Sequence, residues 1–223
     1  MKGRPGGFWR GSRVLVTAGP TREPLDPIRF LTNGSTGTMG FSLARAARRL
    51  GARVTLVSGP TALAVPRGVE CFPVTTAEQM RRRVLARVRR ADVFISAAAV
   101  GDWRFAKPSR AKIKKGSGPV TLTLIPNPDI LAEASRLRAR GGRTRPIMVG
   151  FALETHRWLD HARLKLQRKG IDLIVANRLD ALGGARTRFA VLGRRGAGRR
   201  YPSMSKARAA REILACVERE ASR

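Results

Sequence analysis

Short β-branched runs alternate with Ala-, Leu- and Arg-rich segments of helical period along most of the chain, and this alternation constrains the fold more than any other feature. It is the pattern of a parallel sheet covered by helices on both faces. Val14–Thr17, Val54–Val57, Val93–Ile95, Ile147–Phe151, Ile171–Val175 and Phe189–Leu192 read as strands. Gly37–Leu50 reads as a helix whose inward stripe is Met39, Leu43, Ala46, Ala47 and Leu50. Ala77–Arg90 follows, capped by Thr75 or Thr76 with Glu78 in its first turn. Pro128 opens another helix, Thr155–Lys169 forms the next, and Ser203–Glu220 closes the chain. The expected fold class is α/β, Rossmann-like and doubly wound, with a mostly parallel sheet whose ligands bind at the carboxyl ends of the strands.

One stretch breaks the rhythm. Asp102–Ile125 has no helical period and reads as a protruding β-hairpin excursion, with arms Ala111–Lys115 and Val120–Ile125 around Gly116-Ser117-Gly118-Pro119. Met1 to Ser12 is rich in Gly and Arg without a following apolar run. It reads as a flexible basic arm rather than a signal peptide, leaving residues 13–223 as a single domain. The 223 residues are 43% hydrophobic, enough for a real core. No apolar run approaches the roughly 20 residues of a membrane span, so no membrane partner and a cytoplasmic location are expected. Cys71 and Cys216 are isolated thiols, and His156 and His161 lack companions at metal spacing.

The net charge of +30 raises the question of nucleic acid. The arginines are spread along the whole chain, and one Tyr and three Trp offer few stacking surfaces. No specific nucleic-acid partner is expected. Lysine is more informative. Of 45 basic residues only eight are Lys, and five of these form two clusters, Lys112-Ile113-Lys114-Lys115 and Lys165 with Lys169. A compact ammonium on a flexible stem suits a phosphate held as a point charge.

The commonest use of such a sheet, NAD(P)-dependent oxidation, lacks its marks here. Ala18-Gly19-Pro20-Thr21-Arg22 after the first strand is not a G-x-G-x-x-G turn. The second strand ends at Val57-Ser58 without the ribose-gripping carboxylate, and Tyr201 has Ser205 rather than Lys four residues on. Glycines come later, in Asn33-Gly34-Ser35-Thr36-Gly37-Thr38-Met39-Gly40, delivered by a Pro-punctuated loop to a helix start. Gly34, Gly37 and Gly40 allow close backbone approach there. Hydroxyls and free first-turn amides at the positive end of a helix make a phosphate cradle.

In combination these segments resemble phosphopantothenoylcysteine synthetase, in bacteria usually fused to a flavin-dependent decarboxylase. The resemblance runs from Val14 to the last helix. It rests on Thr17–Glu23, Asp26–Phe30, Asn33–Gly40, Ser58–Thr61, Ala97–Asp102, Lys112–Lys115, Asn127–Ile130, Val149–Thr155 and Asp172–Asn177. It implies a ligase that joins 4′-phosphopantothenate to L-cysteine through an acyl-nucleotide, releasing nucleoside monophosphate and pyrophosphate. CTP with Mg2+ is the implied co-substrate, although residue types alone leave CTP and ATP both open, and no flavin is expected in this chain. Free cysteine supplies the amine, in keeping with a chain that shows no Ser-His or Cys-His nucleophile.

The resemblance also implies roles. Lys112 stabilises the activating step and touches the nucleotide; Lys165, Lys169 and Phe151 form the triphosphate site. Ala98, Asp102, Asn127, Pro128, Asp129 and Ile130 close around base, ribose and metal, with Asp102 the metal candidate. Asn33 binds the acyl group and Arg29 supports amide formation, unless Arg29 simply anchors its loop through Asp26. Asp129 and Asn127 have helix capping as the plainer alternative. Ser35, Gly37, Ala98 and Ala99 are candidates for the substrate phosphate. Thr38 stands where Lys is usual, and Gly101 where Ala is common. A homodimer formed through the excursion is implied, and a phosphopantothenoylcysteine decarboxylase is the partner enzyme, with the sequence leaving open whether it acts from a separate chain. A non-catalytic nucleotide-binding module on the same fold is the alternative.

Overall fold

The computed structural model describes residues 7–142, 144–178, 184–194 and 198–222. Eight strands form one sheet in the order β12-β11-β10-β9-β6-β1-β4-β5. Its parallel part is β5 (Glu70–Pro73), β4 (Arg53–Ser58), β1 (Arg13–Ala18), β6 (Val93–Ser96), β9 (Ile147–Glu154) and β10 (Leu173–Arg178). β11 (Arg186–Gly193) and β12 (Arg199–Ser205) add antiparallel at one edge. The six parallel strands, taken in chain order, lie as 3-2-1-4-5-6, so the order reverses between β1 and β6.

Strand alternation distributes the core over two faces. Val14, Val16 and Ala18 of β1 join a cluster with Phe41, Leu43 and Ala44 of α1 (Thr38–Arg49) and Ile213 and Val217 of α5 (Lys206–Ala221). Leu15 faces the opposite cluster, built with Met80 and Val84 of α2 (Ala77–Val88), Leu131 and Ala134 of α3 (Ile130–Arg140), and Ala162 and Leu166 of α4 (Trp158–Arg168).

Local chemistry accounts for the helix starts. Thr76 caps α2 in a capping box with Gln79, and Glu78 lies in the first turn as expected, where it pairs with Arg81 and Arg82. The buried Glu23 carboxylate accepts from the first-turn amide of Ala77, tying the loop after β1 to this helix. Gly40 serves packing rather than ligand approach. A Cβ there would lie 2.5 Å from Ala18 Cβ, so glycine is what lets α1 seat against β1. The α1 stripe is also turned from the expected one. Gly40, Phe41, Leu43, Ala44 and Ala47 are buried while Leu50, which only caps the helix, is exposed, because α5 covers a second face of α1.

Several expectations are corrected. In the excursion, Trp103–Phe105 (β7) pairs with Leu124–Pro126 (β8). The expected arm Ala111–Lys115 is no strand; its Ile113 N–H and C=O bond instead to Asp26 and Arg29. Between Gly19 and Thr36, Arg22–Pro24 (β2) and Phe30–Thr32 (β3) form a small hairpin. Edge strands β5 and β12 were not expected, and residues 203–205 belong to β12 rather than the last helix, with Ser205 as its cap. Of the expected arm, residues 1–6 lie outside the described residues, but 7–12 are packed. Trp9 is fully buried in the α1/α5 cluster, and Gly11 N–H donates to Gly51 O at 2.9 Å.

Candidate active site

Where the strand order reverses, the chain ends of β1 and β6 part and open a cleft of about 720 Å³. The segments 33–39, 96–102, 127–131 and 151–153 line it, with Lys165, Lys169, Asn177, Thr187 and Lys206. Thirteen of the residues singled out from sequence therefore meet here: Asn33, Ser35, Gly37, Ala98, Ala99, Asp102, Asn127, Pro128, Asp129, Ile130, Phe151, Lys165 and Lys169.

The glycine-rich wall is held from behind. Pro20 and Ala99 make an isolated parallel bridge that continues the β1–β6 junction past the strand ends. Thr21 Oγ1 accepts from Gly101 N–H at 2.9 Å. Asn33 Nδ2 donates to the carbonyls of Val100 and Ala99 at 3.1 and 3.3 Å, which fixes that side chain across the mouth of the crevice. Gly37, with φ 77°, starts α1 in a left-handed turn that residues with a Cβ resist. Gly37 offers no capping side chain to α1; the Gly37 and Thr38 N–H groups donate to Ser35 Oγ at 3.3 Å and Thr36 Oγ1 at 3.5 Å, and Met39 follows them along the cleft lining. Thr38 bonds Thr36 through their hydroxyls at 2.8 Å and brings no charge to this wall.

The opposite wall carries charge in pairs. Lys165 Nζ lies 2.6 Å from Glu154 Oε1, and Lys169 Nζ 3.0 Å from Asp129 Oδ2. Burial pushes the Glu154 carboxyl up, but the bonds from Lys165 and His161 outweigh it and leave it below its ordinary value. Asp129 also caps α3, accepting from Ala132 N–H at 3.0 Å. Asn127 caps nothing. Its Nδ2 donates to Gly101 O and Trp103 O, closing the 101–103 and 127 segments together beside the exposed Asp102. Gly101 has room for the more usual alanine, since a Cβ there would meet nothing nearer than 3.5 Å. Gly101→Ala is expected to be neutral or to stabilise by about 0.5 kcal/mol in urea denaturation, with the cleft unchanged.

Two of the expected site residues lie elsewhere. Arg29 and Lys112 are exposed and do not line the cleft. The Arg29 fork grips the buried Asp26 carboxylate and also donates to Ile113 O at 2.8 Å. Its grip holds Asp26 well below the usual carboxylate range. Arg29 is thus the loop anchor, and it moors the neighbour of Lys112.

Asn177, Thr187 and Lys206 line the cleft without having been singled out for it. Asn177 closes the Asp172–Asn177 segment, so a signal existed. Lys206 is the one lysine of the last helix, and the scarcity of lysine was its signal. Thr187 gave none.

A Rossmann-like domain with its cleft at the switch point of the sheet belongs to the broad class of α/β proteins whose ligands bind at the carboxyl ends of the strands. The chain belongs to the family described as DNA/pantothenate metabolism flavoprotein C-terminal domain, which matches residues 9–220. It is 49% identical over 174 residues to the coenzyme A biosynthesis bifunctional protein CoaBC of Mycobacterium bovis, covering 75% of this chain and 42% of that protein. It is 47% identical over 167 residues to that of Escherichia coli K12, covering 74% of this chain and 40% of that protein. The chain thus spans about two fifths of the length of the curated relatives it matches. The crystal structure of the C-terminal domain of CoaBC superposes with a TM-score of 0.81 at 34% identity, covering 96% of this chain and 97% of that one. The DNA/pantothenate metabolism flavoprotein from Streptococcus pneumoniae shares the fold at TM-score 0.78 and 22% identity, over 93% of this chain and 99% of that one.

Proposed function

We propose that this domain is the ligase that joins 4′-phosphopantothenate to L-cysteine, with CTP as the activating nucleotide. What carries the reading is the convergence of thirteen expected residues on one switch-point cleft, in a chain similar to the C-terminal domain of CoaBC. A chain of the same fold, the Cab2 mutant H337A, has been solved in complex with phosphopantothenate-cysteine.

A carboxylate does not condense with an amine at neutral pH until one of its oxygens becomes part of a leaving group. The carboxylate oxygen attacks the α-phosphorus, the bond from that phosphorus to the β-phosphate bridge breaks, and pyrophosphate departs. The cysteine amine then attacks the acyl carbon, the C–O bond breaks, and CMP leaves with loss of an amine proton. The first step brings two anions together, so open amides and ammonium groups aimed at the growing charge are the main requirement. The α1 start, Lys165 and Lys169 meet it. Asn33, fixed by two carbonyls, presents its free Oδ1 to orient the acyl group and the incoming amine. Lys112, moored beside Ile113, reaches the nucleotide from the excursion.

Magnesium fits this donor set only as an ion carried by the triphosphate. Among the described residues no group of three or more His, Cys, Asp or Glu is placed to hold a metal. Asp102, exposed at the rim, with Asp129 near it in the lining, would supply the one or two carboxylates such an ion needs. When bound, it would neutralise charge on the phosphate oxygens.

The test is pyrophosphate release from CTP and from ATP with 4′-phosphopantothenate and cysteine. CTP turnover above ATP is expected, and no pyrophosphate with either would reject the ligase. Lys112→Gln keeps hydrogen bonding but loses the charge, so release should fall at least tenfold, about 1.4 kcal/mol; a near-normal rate removes Lys112 from the site.

The unit is proposed to act as a homodimer. Ile28, Phe30 and Leu31 of the β2–β3 hairpin and Trp103, Val120, Leu122 and Leu124 of the excursion are exposed apolar side chains. β2 packs beside β7, which brings the β2–β3 hairpin and the base of the excursion together, and exposed apolar side chains gathered there suit a protein partner. Light scattering at moderate salt should give twice the chain mass; a clean monomer at micromolar concentration rejects this. Phosphopantothenoylcysteine decarboxylase is the proposed partner enzyme, since the relatives this chain resembles are described as bifunctional.

A further inference from the structure

Beyond Lys165 and Lys169, the cleft has a second polar corner on the other side of the sheet. Asn177 ends the paired part of β10 opposite Phe189, and the register of β11 slips between Thr187 and Phe189. Thr187 pairs with Met204, two residues before Lys206, whose own N–H is tied to Ala185 O at 3.3 Å. The three side chains are gathered where β10, β11 and α5 meet. Phe189, Met204 and Ala209 beside them belong to the α1/α5 core, whereas α4, which carries Lys165 and Lys169, packs on the opposite core.

This corner is unfinished as protein. Thr187 is 2% exposed and Lys206 7%. Thr187 Oγ1 and Asn177 Oδ1 are buried without a hydrogen-bond partner. Among the described residues nothing pairs with the Lys206 ammonium, and burial pushes its pKa below the ordinary lysine value. A buried cation and unpartnered polar atoms are each unfavourable alone, and all are offset by one ligand that brings negative charge and several acceptor oxygens. A half-turn of the Asn177 amide places Nδ2 where Oδ1 stands, so all three side chains can donate. The start of α1, where Ser35 and Thr36 hydroxyls take the Gly37 and Thr38 N–H groups, lines the same cleft and brings the positive end of its dipole.

We propose that Lys206, Thr187 and Asn177 form a second anion seat, holding a phosphoryl group on the α1/α5 side of the cleft while Lys165 and Lys169 serve the α4 side. The proposal rests on the ligase reading, in which both substrates carry phosphate. It deepens that reading by giving each substrate its own seat across the sheet edge. The group is either the phosphate monoester of the acyl substrate or the outer phosphates of the nucleotide.

Calorimetric titration of the folded chain with 4′-phosphopantothenate and, separately, with inorganic pyrophosphate tests it. Lys206→Met should weaken one of these ligands about 10- to 100-fold and leave the other within twofold. The affected arm names the source. Thr187→Val, of matching shape, should weaken the same ligand about fivefold, and Lys206→Arg should recover part of the loss. If Lys206→Met does not fold, Thr187→Val carries the test. Unchanged affinity for both ligands in a folded variant overturns the seat. Failure of the ligase reading looks different: the parent chain itself would release no pyrophosphate from any nucleoside triphosphate, while titration with pyrophosphate still reports on the corner.

Discussion

Lys165→Met is expected to lower pyrophosphate release about 100-fold, some 2.7 kcal/mol of transition-state stabilisation. Two effects act in the same direction. The variant removes an ammonium from the wall of the cleft, and it also strips Glu154 of a partner 2.6 Å away. The Glu154 side chain is only 16% exposed, so its carboxylate would remain as a poorly solvated negative charge with only His161 beside it, next to the wall that Lys165 had lined. Lys165 itself is 45% exposed, and solvent screening keeps the expected loss well below a bare Coulomb figure. Adding Glu154→Gln should therefore restore part of the activity, because it removes the repulsion but not the missing attraction. Steady-state pyrophosphate release with the single and double variants checks both statements. A loss under about fivefold would make Lys165 a solvated bystander of the helix face.

The largest effect on stability is expected at Trp9. Truncation to alanine should cost about 3–5 kcal/mol, a large part of a typical total of about 5–15 kcal/mol. Trp9 is fully buried and meets Phe8 edge-to-face at 5.0 Å. Its Nε1 is buried without an acceptor. Trp9→Phe should therefore be far milder, losing some volume but also an unsatisfied donor. Urea denaturation of the two variants separates the cases, and a Trp9→Ala loss below about 1 kcal/mol would return residues 7–12 to the role of an appendage.

Trp9 also shows where reading the sequence reaches its limit. Apart from Phe8 its neighbours are Gly and Arg, so no period marks it, and its burial depends on a surface that α1 and α5 create only after folding. The central strands were legible because β1, β4, β6, β9 and β10 bury both faces and must be apolar throughout. β12 was not, because an edge strand tolerates Arg199, Arg200 and Pro202 and shows the core only Tyr201 and Met204. Most of the cleft was legible because its residues lie in contiguous segments at strand ends. Thr187 was not, and Lys206 only through the scarcity of lysine, since antiparallel pairing of β11 with β12 brings them to the site from separate stretches of chain. Arg29 carried two readings, support of amide formation or a loop anchor through Asp26, and the structure shows the anchoring pair. An arginine beside a substrate loop and an arginine gripping its own turn have the same sequence, and only the geometry of Asp26 distinguishes them.

That grip has a mechanical consequence for the excursion. Ile113 is pinned by both its N–H and its C=O to a turn that holds a buried carboxylate, and Ser109 N–H bonds Leu25 O at 2.8 Å, so the excursion is moored to the β2–β3 hairpin on both sides of Lys112. Lys112 therefore belongs to the moored stretch, whereas the Gly116-Ser117-Gly118 tip lies beyond it, and a reagent that reports on the tip says little about where that ammonium is.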